Sequence, residues 1–390
     1  MSVSIYLHIP FCRRLCPFCH FFRVPEIPED WRPFFRAVKR ELEGFGGDVI
    51  PSVRTLYVGG GTPTLFPPPF YAAVFRFLGE RFDLSGLEEA TIETDGEVAP
   101  KEMAGLAQAG FDRISIGVKS FLPRTREIMG IGGAPGPDPV STARDAGFSS
   151  VSLDLVYAVE GQSLEDFEED LRLVVDHRPD HVSLYCLEEG ETAGPREGDP
   201  DVAAAMFRRS RRTMEEAGFF QYEITNFARQ GHQSRHNTIY WQDHDYIGIG
   251  PSAHSSITRD GTRVRWRNRN DLPEYVKDPA GCREELSRED GIQRAREALI
   301  LGLRMNRGVS RNSFAARYGF DPLLLLRPSL RELKEAGLVR FDARRIRLTT
   351  MGMLLSNEVF VEILESREDL KTGLGLAGRR FAGYVISRIS

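Results

Sequence analysis

Six short β-rich runs alternate with longer helical stretches through the first 217 residues, and this alternation constrains the fold more than anything else in the chain. The strand-type runs fall at 4–9, 54–58, 90–94, 113–118, 151–155 and 181–186. Helical patterning fills 29–44, 68–81, 100–109, 122–129 with 138–146, and 164–176; a further helix, 202–217, follows the last strand. Several of these helices run into Gly44, Gly110, Gly147 or Gly218, and glycine takes the left-handed conformation that stops a helix. Strands separated by helices indicate βα units and a parallel sheet, so the expected class is α/β. Six units make a partial barrel rather than the closed eight-unit form.

The remaining residues differ in character. Between 219 and 269 the chain is rich in Tyr, Trp, His and Gly with little helical periodicity, which reads as mixed strands and ordered loops. From Ile292 helical patterning returns, and 330–336, 337–341, 345–348 and 350–363 read as helix, strand, strand, helix. The expected organisation is a barrel over 1–220, a mixed aromatic and glycine-rich segment over 221–290, and an α+β accessory domain with a winged-helix-like module over 291–390. A winged helix can bind DNA, but 51 basic against 56 acidic side chains and a net charge of −5 leave no footprint for a phosphate backbone. No nucleic-acid partner is expected, and the accessory domain reads as a cap or partner surface. No cationic leader, cleavage site or apolar run of about 18 residues is present, so no transmembrane segment is expected and the chain is expected to be cytoplasmic.

Three of the five cysteines, Cys12, Cys16 and Cys19, fall within eight residues immediately after the first strand run. Thiolates are soft ligands suited to iron–sulfur clusters or zinc. Three of them leave one iron of a four-iron cluster open to another ligand. Zinc completed by His20 or His8, or an inert group of thiols, are the alternatives. Cys186 and Cys282 stand alone and read as buried apolar thiols.

Tyr6-Leu7-His8-Ile9-Pro10-Phe11-Cys12, with Cys16 and Cys19 following, resembles the start of radical S-adenosylmethionine proteins, specifically the coproporphyrinogen-dehydrogenase-like group that includes the HemW-type heme chaperones. The resemblance continues through Gly59-Gly60-Gly61-Thr62-Pro63 and residues 111–121, 222–228 and 265–270 to 349–357, nearly the whole chain. It implies a radical SAM partial (β/α)6 TIM barrel whose three cysteines hold a [4Fe-4S] cluster, with S-adenosylmethionine on the open iron. It also implies that Gly59, Gly60, Gly61 and Thr62 lie along the methionyl amino group. Glycines let main chain approach a ligand closely. Glu93 and Asp154, near the ends of the third and fifth strands, could hold a ribose hydroxyl or an ammonium group; Tyr6 lies where relatives place a tyrosine beside the cofactor. Two departures stand out: Lys119 replaces the glutamine of Ser-Ile-Gly-Val-Gln-Ser-Phe, and Ile131 replaces an arginine that contacts the cofactor carboxylate in relatives. Lys119 could restore that lost charge.

His236-Asn237-Thr238-Ile239-Tyr240-Trp241 matches the His-Asn-x-x-Tyr-Trp motif of HemW-type proteins. Imidazole is a good axial ligand for heme iron, so His236 is the heme candidate, with Tyr240 and Trp241 packing on the macrocycle. The alternative is an aromatic core turn with a hydrogen-bonded histidine. Decarboxylating relatives carry a further cysteine two residues after the third ligand, where this chain has Phe21. The resemblance therefore implies a heme chaperone that passes heme to apo-hemoproteins, with an electron donor for the cluster; a homodimer is compatible with it. The second hypothesis is a catalytically active radical enzyme, a methyltransferase or a tetrapyrrole-modifying enzyme, that generates a 5′-deoxyadenosyl radical.

Overall fold

The computed structural model describes residues 2–45, 51–133, 136, 138–188, 194–289 and 291–364. Residues 365–390 of the expected C-terminal domain lie outside them. Six strands, β1 (Ser2–Ile9), β2 (Ser52–Gly60), β3 (Glu89–Thr94), β4 (Arg113–Lys119), β5 (Ser150–Tyr157) and β6 (His181–Cys186), lie side by side and parallel. They are joined by α1 (Arg32–Glu43), α2 (Pro68–Arg81), α3 (Pro100–Ala109), α4 (Pro123–Ile128) with α5 (Pro139–Asp145), and α6 (Leu164–His177); α7 (Pro200–Glu216) follows β6. α2 and α3 each start on a proline in the first turn, where the missing N–H costs nothing. Gly110, at φ 124°, ends α3. Ser163 and Asp166 form a reciprocal capping box at the start of α6.

Successive strand residues point to opposite faces, and the sequence uses the two faces differently. Val3, Ile5, Leu7 and Ile9 of β1, with Leu56, Val58, Ile92, Ile114, Leu153 and Val182 of its neighbours, join Phe34, Val38, Phe70, Val74, Phe167 and Leu171 of the helices in one buried core. The alternate positions are mostly polar: Ser4, Tyr6 and His8; Thr55 and Tyr57; Glu89, Thr91 and Glu93; Arg113 and Ser115; Ser152 and Asp154; His181, Ser183 and Tyr185. These line the inside of the barrel. Tyr6, Tyr57, Glu93, Asp154 and Tyr185 keep part of their surface open, so the interior holds a hollow.

The segment after Gly218 extends the same sheet on both sides. β8 (Asn226–Ala228) adds antiparallel to β6, and β7 (Phe220–Gln221) pairs antiparallel with β8 at the edge. After α8 (Arg235–Trp241), β9 (Tyr246–Ile249) pairs in parallel with β1, followed by antiparallel β10 (His254–Arg259) and β11 (Thr262–Asn268), then α9 (Leu272–Lys277) and β12 (Arg283–Glu289). The resulting twelve-stranded order is β12-β11-β10-β9-β1-β2-β3-β4-β5-β6-β8-β7. The strand that leads into the cysteines is therefore internal.

α10 (Gly291–Leu303), β13 (Val309–Ser310), α11 (Arg311–Tyr318), α12 (Pro322–Leu325), α13 (Arg327–Glu335), β14 (Val339–Phe341), β15 (Arg345–Leu348), α14 (Thr350–Leu354) and α15 (Ser356–Leu364) build a second unit. Its three strands order as β13-β15-β14, over a core that includes Leu299, Leu330, Leu333, Val359 and Phe360. The single helix expected over 350–363 is two, α14 and α15. The unit is tied to the sheet at Asp243, just past α8. Arg263 of β11 pairs with this carboxylate and donates to the Asp243 carbonyl at 2.9 Å, while Tyr318 of α11 donates to Asp243 Oδ2 at 2.8 Å.

Candidate functional site

The three cysteines sit on a loop at the C-terminal end of β1. Two backbone hydrogen bonds close its base, Cys12 N–H to the Val24 carbonyl at 3.0 Å and Val24 N–H to Pro10 at 2.7 Å. The end of β2 leans against it: Gly61 N–H donates to Ile9 at 2.8 Å and Thr62 N–H to Phe11 at 2.7 Å. A Cβ on Gly61 would lie 2.4 Å from the Phe11 carbonyl oxygen and 2.9 Å from Cys12 Sγ, so this close approach requires glycine. Gly60, at φ 114°, brings the main chain against the His8 ring. Burial pushes the Cys12 thiol up to about 11, and the Thr62 hydroxyl, hydrogen-bonded to it, opposes the shift. Burial also raises Cys16, against the pull of the Lys119 charge. Bound iron would have to displace these protons, since the thiolate is the metal ligand.

This donor set fits a multi-iron cluster better than a single ion. Among the described residues no three His, Cys, Asp or Glu side chains close on one point, as tetrahedral zinc requires. His8 is committed elsewhere: its Nδ1 shares a hydrogen bond with the Tyr6 hydroxyl at 3.0 Å, its Nε2 with the Phe22 carbonyl at 2.8 Å, and burial lowers its pKa to about 4. His20 is exposed. Cys12, Cys16 and Cys19 are the residues that would hold a cluster, whose open iron would supply the site for a sulfonium cofactor. Cys282 is buried as expected, whereas Cys186, at the end of β6, is exposed.

The polar hollow opens beside the loop. Glu93 accepts from the Tyr57 hydroxyl at 2.7 Å and from Gly60 N–H at 3.2 Å. A Cβ on Gly59 would fall 2.8 Å from Glu93 Oε2, so the glycine strand end and the carboxylate are fitted to each other. Burial raises the Glu93 pKa, and the nearby Asp154 charge adds to the rise. Asp154 accepts from Ser115 at 2.9 Å and Ser152 at 3.0 Å. Tyr6 stacks near Tyr57 with ring centres 6.1 Å apart, and burial raises its pKa further above the phenol range. Lys119 ends β4 at φ 67°, a strained conformation for a side chain of this size, and its charge offsets part of the burial-driven rise in the pKa of both Glu93 and Cys16. The cation therefore stands near both the cluster loop and the acidic floor. Ile131 packs instead against an apolar cluster of Met129, Val156, Val159 and Leu187.

His236 lies at the other end of the barrel. Its motif forms the helix α8, capped by Ser234, in a stretch expected to be strands and loops. Arg235 and His236 N–H groups donate to Glu89, the first residue of β3, at 2.8 and 3.1 Å, which places a carboxylate on the helix N-terminus. His236 is 1% exposed, with Nδ1 at 2.7 Å from the Thr55 hydroxyl and Nε2 at 2.7 Å from the Tyr240 hydroxyl. Burial lowers its pKa to about 3. Trp241 is buried under the Arg304 guanidinium, 4.2 Å from its ring centre. Both His236 nitrogens are thus engaged, and iron ligation there requires the Tyr240 hydrogen bond to open.

Comparison with known proteins agrees with this geometry. Residues 6–174 match the radical SAM superfamily and 290–355 the HemN C-terminal domain. The heme chaperone HemW of Bacillus subtilis is 31% identical, over 92% of this chain and 98% of that protein. The chain belongs to the HemW family. HemW of Lactococcus lactis is 29% identical over 93% of this chain and 97% of its own length. The mitochondrial radical S-adenosyl methionine domain-containing protein 1 of mouse is 30% identical over 94% and 88%. The structure of coproporphyrinogen III oxidase (HemN) from Escherichia coli superposes with a TM-score of 0.75 over 93% of this chain and 90% of that one; at 21% identity this speaks for the fold.

In this HemW-family chain, sequence reasoning passed over three arginines. Arg23 folds back on the cysteine loop, donating through Nη2 to the Cys16 carbonyl at 2.6 Å and through Nη1 to the Cys19 carbonyl and to Phe21 at 3.1 Å. Arg126 fastens the segment beyond α4, reaching the carbonyls of Val118 at 2.6 Å, Gly133 at 2.7 Å and Gly132 at 3.0 Å. Arg113 is buried inside the barrel with its Nε unpartnered. A charged side chain four residues past the third cysteine was the one visible signal for Arg23.

Proposed function

We propose that this chain is a heme chaperone that binds heme and passes it to apo-hemoproteins, carrying a [4Fe-4S] cluster on Cys12, Cys16 and Cys19 with S-adenosylmethionine at the open iron. The observation that carries this reading is the match to heme chaperones along nearly their whole length. Phe21, where decarboxylating relatives carry a cysteine, supports it. The glycines from Gly59 to Gly61, with Thr62, would receive the methionyl amino group beside Glu93. Asp154 and Tyr6 would bound the same hollow, and Lys119 would meet the carboxylate that an arginine meets in relatives. The cluster draws on an external electron donor. No helix among the described residues is long and apolar enough to cross a membrane, and the cytoplasm is the proposed location. The proposed division places the barrel in 1–220, the aromatic segment in 221–290 and a winged-helix-like partner surface from 291.

The test is anaerobic reconstitution of the full chain, then hemin titration, transfer to apomyoglobin and an assay for 5′-deoxyadenosine. Hemin binding and transfer with little deoxyadenosine is the expected result. Rapid deoxyadenosine formation coupled to a modified tetrapyrrole or methylated product would replace this reading with that of a radical enzyme.

A further inference from the structure

Heme asks three things of a protein surface: a free imidazole for the iron, apolar contact for the macrocycle, and cations for two carboxylates. The chain has eight histidines. His8, His181 and His236 are buried with both ring nitrogens engaged. His177 stacks on Phe121 at 4.8 Å, and His232 shares a hydrogen bond with Ser150 at 3.2 Å. His244 and His254 are half-buried, and His254 has a partner. His20 alone is exposed and, among the described residues, without a partner.

The other two requirements are met on the same loop. Phe21, next in the chain, is 48% exposed and Leu15 is 47% exposed, unusual for large apolar side chains on a surface that buries most of its others. Arg13 and Arg14 precede them, with side chains 47% and 63% exposed. Their shared partner Glu97 stands 3.6 Å from each, a long and solvent-screened contact that a carboxylate ligand can displace at little cost.

We propose that heme docks on the outer face of the cysteine loop with His20 as axial ligand, Leu15 and Phe21 beneath the macrocycle and Arg13 and Arg14 at its propionates. This rests on the heme-chaperone reading and changes where the cargo sits. A surface ligand suits delivery, because heme can leave without rearranging the barrel. Ligation at His236 would require opening a buried helix and its hydrogen bonds to Thr55 and Tyr240.

The test uses the full chain, reconstituted anaerobically, titrated with hemin and followed at the Soret band, with iron and sulfide content measured on every variant. His20→Ala should weaken hemin at least ten-fold with cluster content unchanged, His20→Met should keep a ligand but move the Soret maximum, and His236→Ala should keep the wild-type band. Phe21→Ser should weaken binding several-fold. If His20→Ala binds hemin like the parent, or if His20→Met leaves the band unmoved, the site is wrong, and loss of the band in His236→Ala alone would return the ligand to the barrel. If the parent chain itself fails to bind hemin, the chaperone reading falls instead.

Discussion

Replacing Gly61 with alanine probes the cysteine loop most directly. The new Cβ would meet the Phe11 carbonyl oxygen at 2.4 Å, its carbon at 2.8 Å and Cys12 Sγ at 2.9 Å. Two of these atoms are backbone, so no side chain can swing away, and β2 must part from the loop by about 1 Å to reach ordinary contact. The Gly61–Ile9 and Thr62–Phe11 hydrogen bonds, 2.8 and 2.7 Å long, would stretch past useful length. Their loss costs about 1 kcal/mol each, and the overpacking roughly 1–3 kcal/mol more. A total of about 3–5 kcal/mol would fall on the segment that places Cys12. Iron and sulfide retained after anaerobic reconstitution should drop sharply, and urea unfolding of the apo chain should shift by a similar free energy. Gly79→Ala is the matched control: Gly79 lies inside α2, its Cβ would meet only Leu84 Cδ1 at 3.8 Å, and alanine there should stabilise by about 0.5–1 kcal/mol. If Gly61→Ala keeps full iron content and unfolds like that control, the close approach does not organise the loop.

Lys119→Gln restores the glutamine of relatives but removes the cation, and S-adenosylmethionine affinity by calorimetry should fall about ten-fold, roughly the worth of one charge-assisted hydrogen bond; equal affinity would show that the ammonium does not meet the cofactor. Burial raises Asp170 to about 6 although Ser120 and the Phe121 N–H hydrogen-bond it at 2.6 and 2.7 Å. The folded chain therefore holds this proton more tightly than the unfolded chain, whose carboxyl titrates near 4, and the contribution is full below about pH 4 and lost as pH rises through about 6. Asp170→Asn should flatten the fall of unfolding free energy across that window, and an unchanged slope would refute the assignment. Asp243→Ala strands the buried Arg263 guanidinium and should cost about 3–5 kcal/mol in urea unfolding. Asp243→Ala with Arg263→Met should recover part of it, and a single variant within 1 kcal/mol of the parent would contradict the view that Asp243 is the buried anchor on which Arg263 of the sheet and Tyr318 of the C-terminal unit converge.

The parallel half of the sheet was legible because its signals are local. α2 and α3 coincide with the expected runs, since each starts on proline and carries its apolar face over several turns. β6 coincides as well. The pairing of β9 with β1 was not legible: Tyr246–Ile249 is a four-residue run whose partner lies some 240 positions earlier. α8 was hidden by its aromatic residues, which pack well in strands too, while its Ser234 cap and the Glu89 carboxylate at its N-terminus belong to the tertiary fold. In the candidate site, the cysteine spacing and the glycine run announced themselves, but polar side chains turned into the barrel, such as Arg113 and Glu89, look like surface residues in a linear reading. Whether a histidine is sealed, as His236 is, or open, as His20 is, depends on packing that composition does not encode.

The late pairing of β9 with β1 also sets a timetable for biosynthesis. The cysteines leave the ribosome long before β9, yet the strand that leads into them keeps one bare edge until residue 249 has been made. Closing a loop that long is slow, and an uncovered edge invites pairing with other chains. Loading iron onto a nascent chain would therefore act on a half-finished scaffold, whereas loading after release meets a β1 flanked on both sides. Fragments ending before Tyr246 should aggregate even with all three cysteines present.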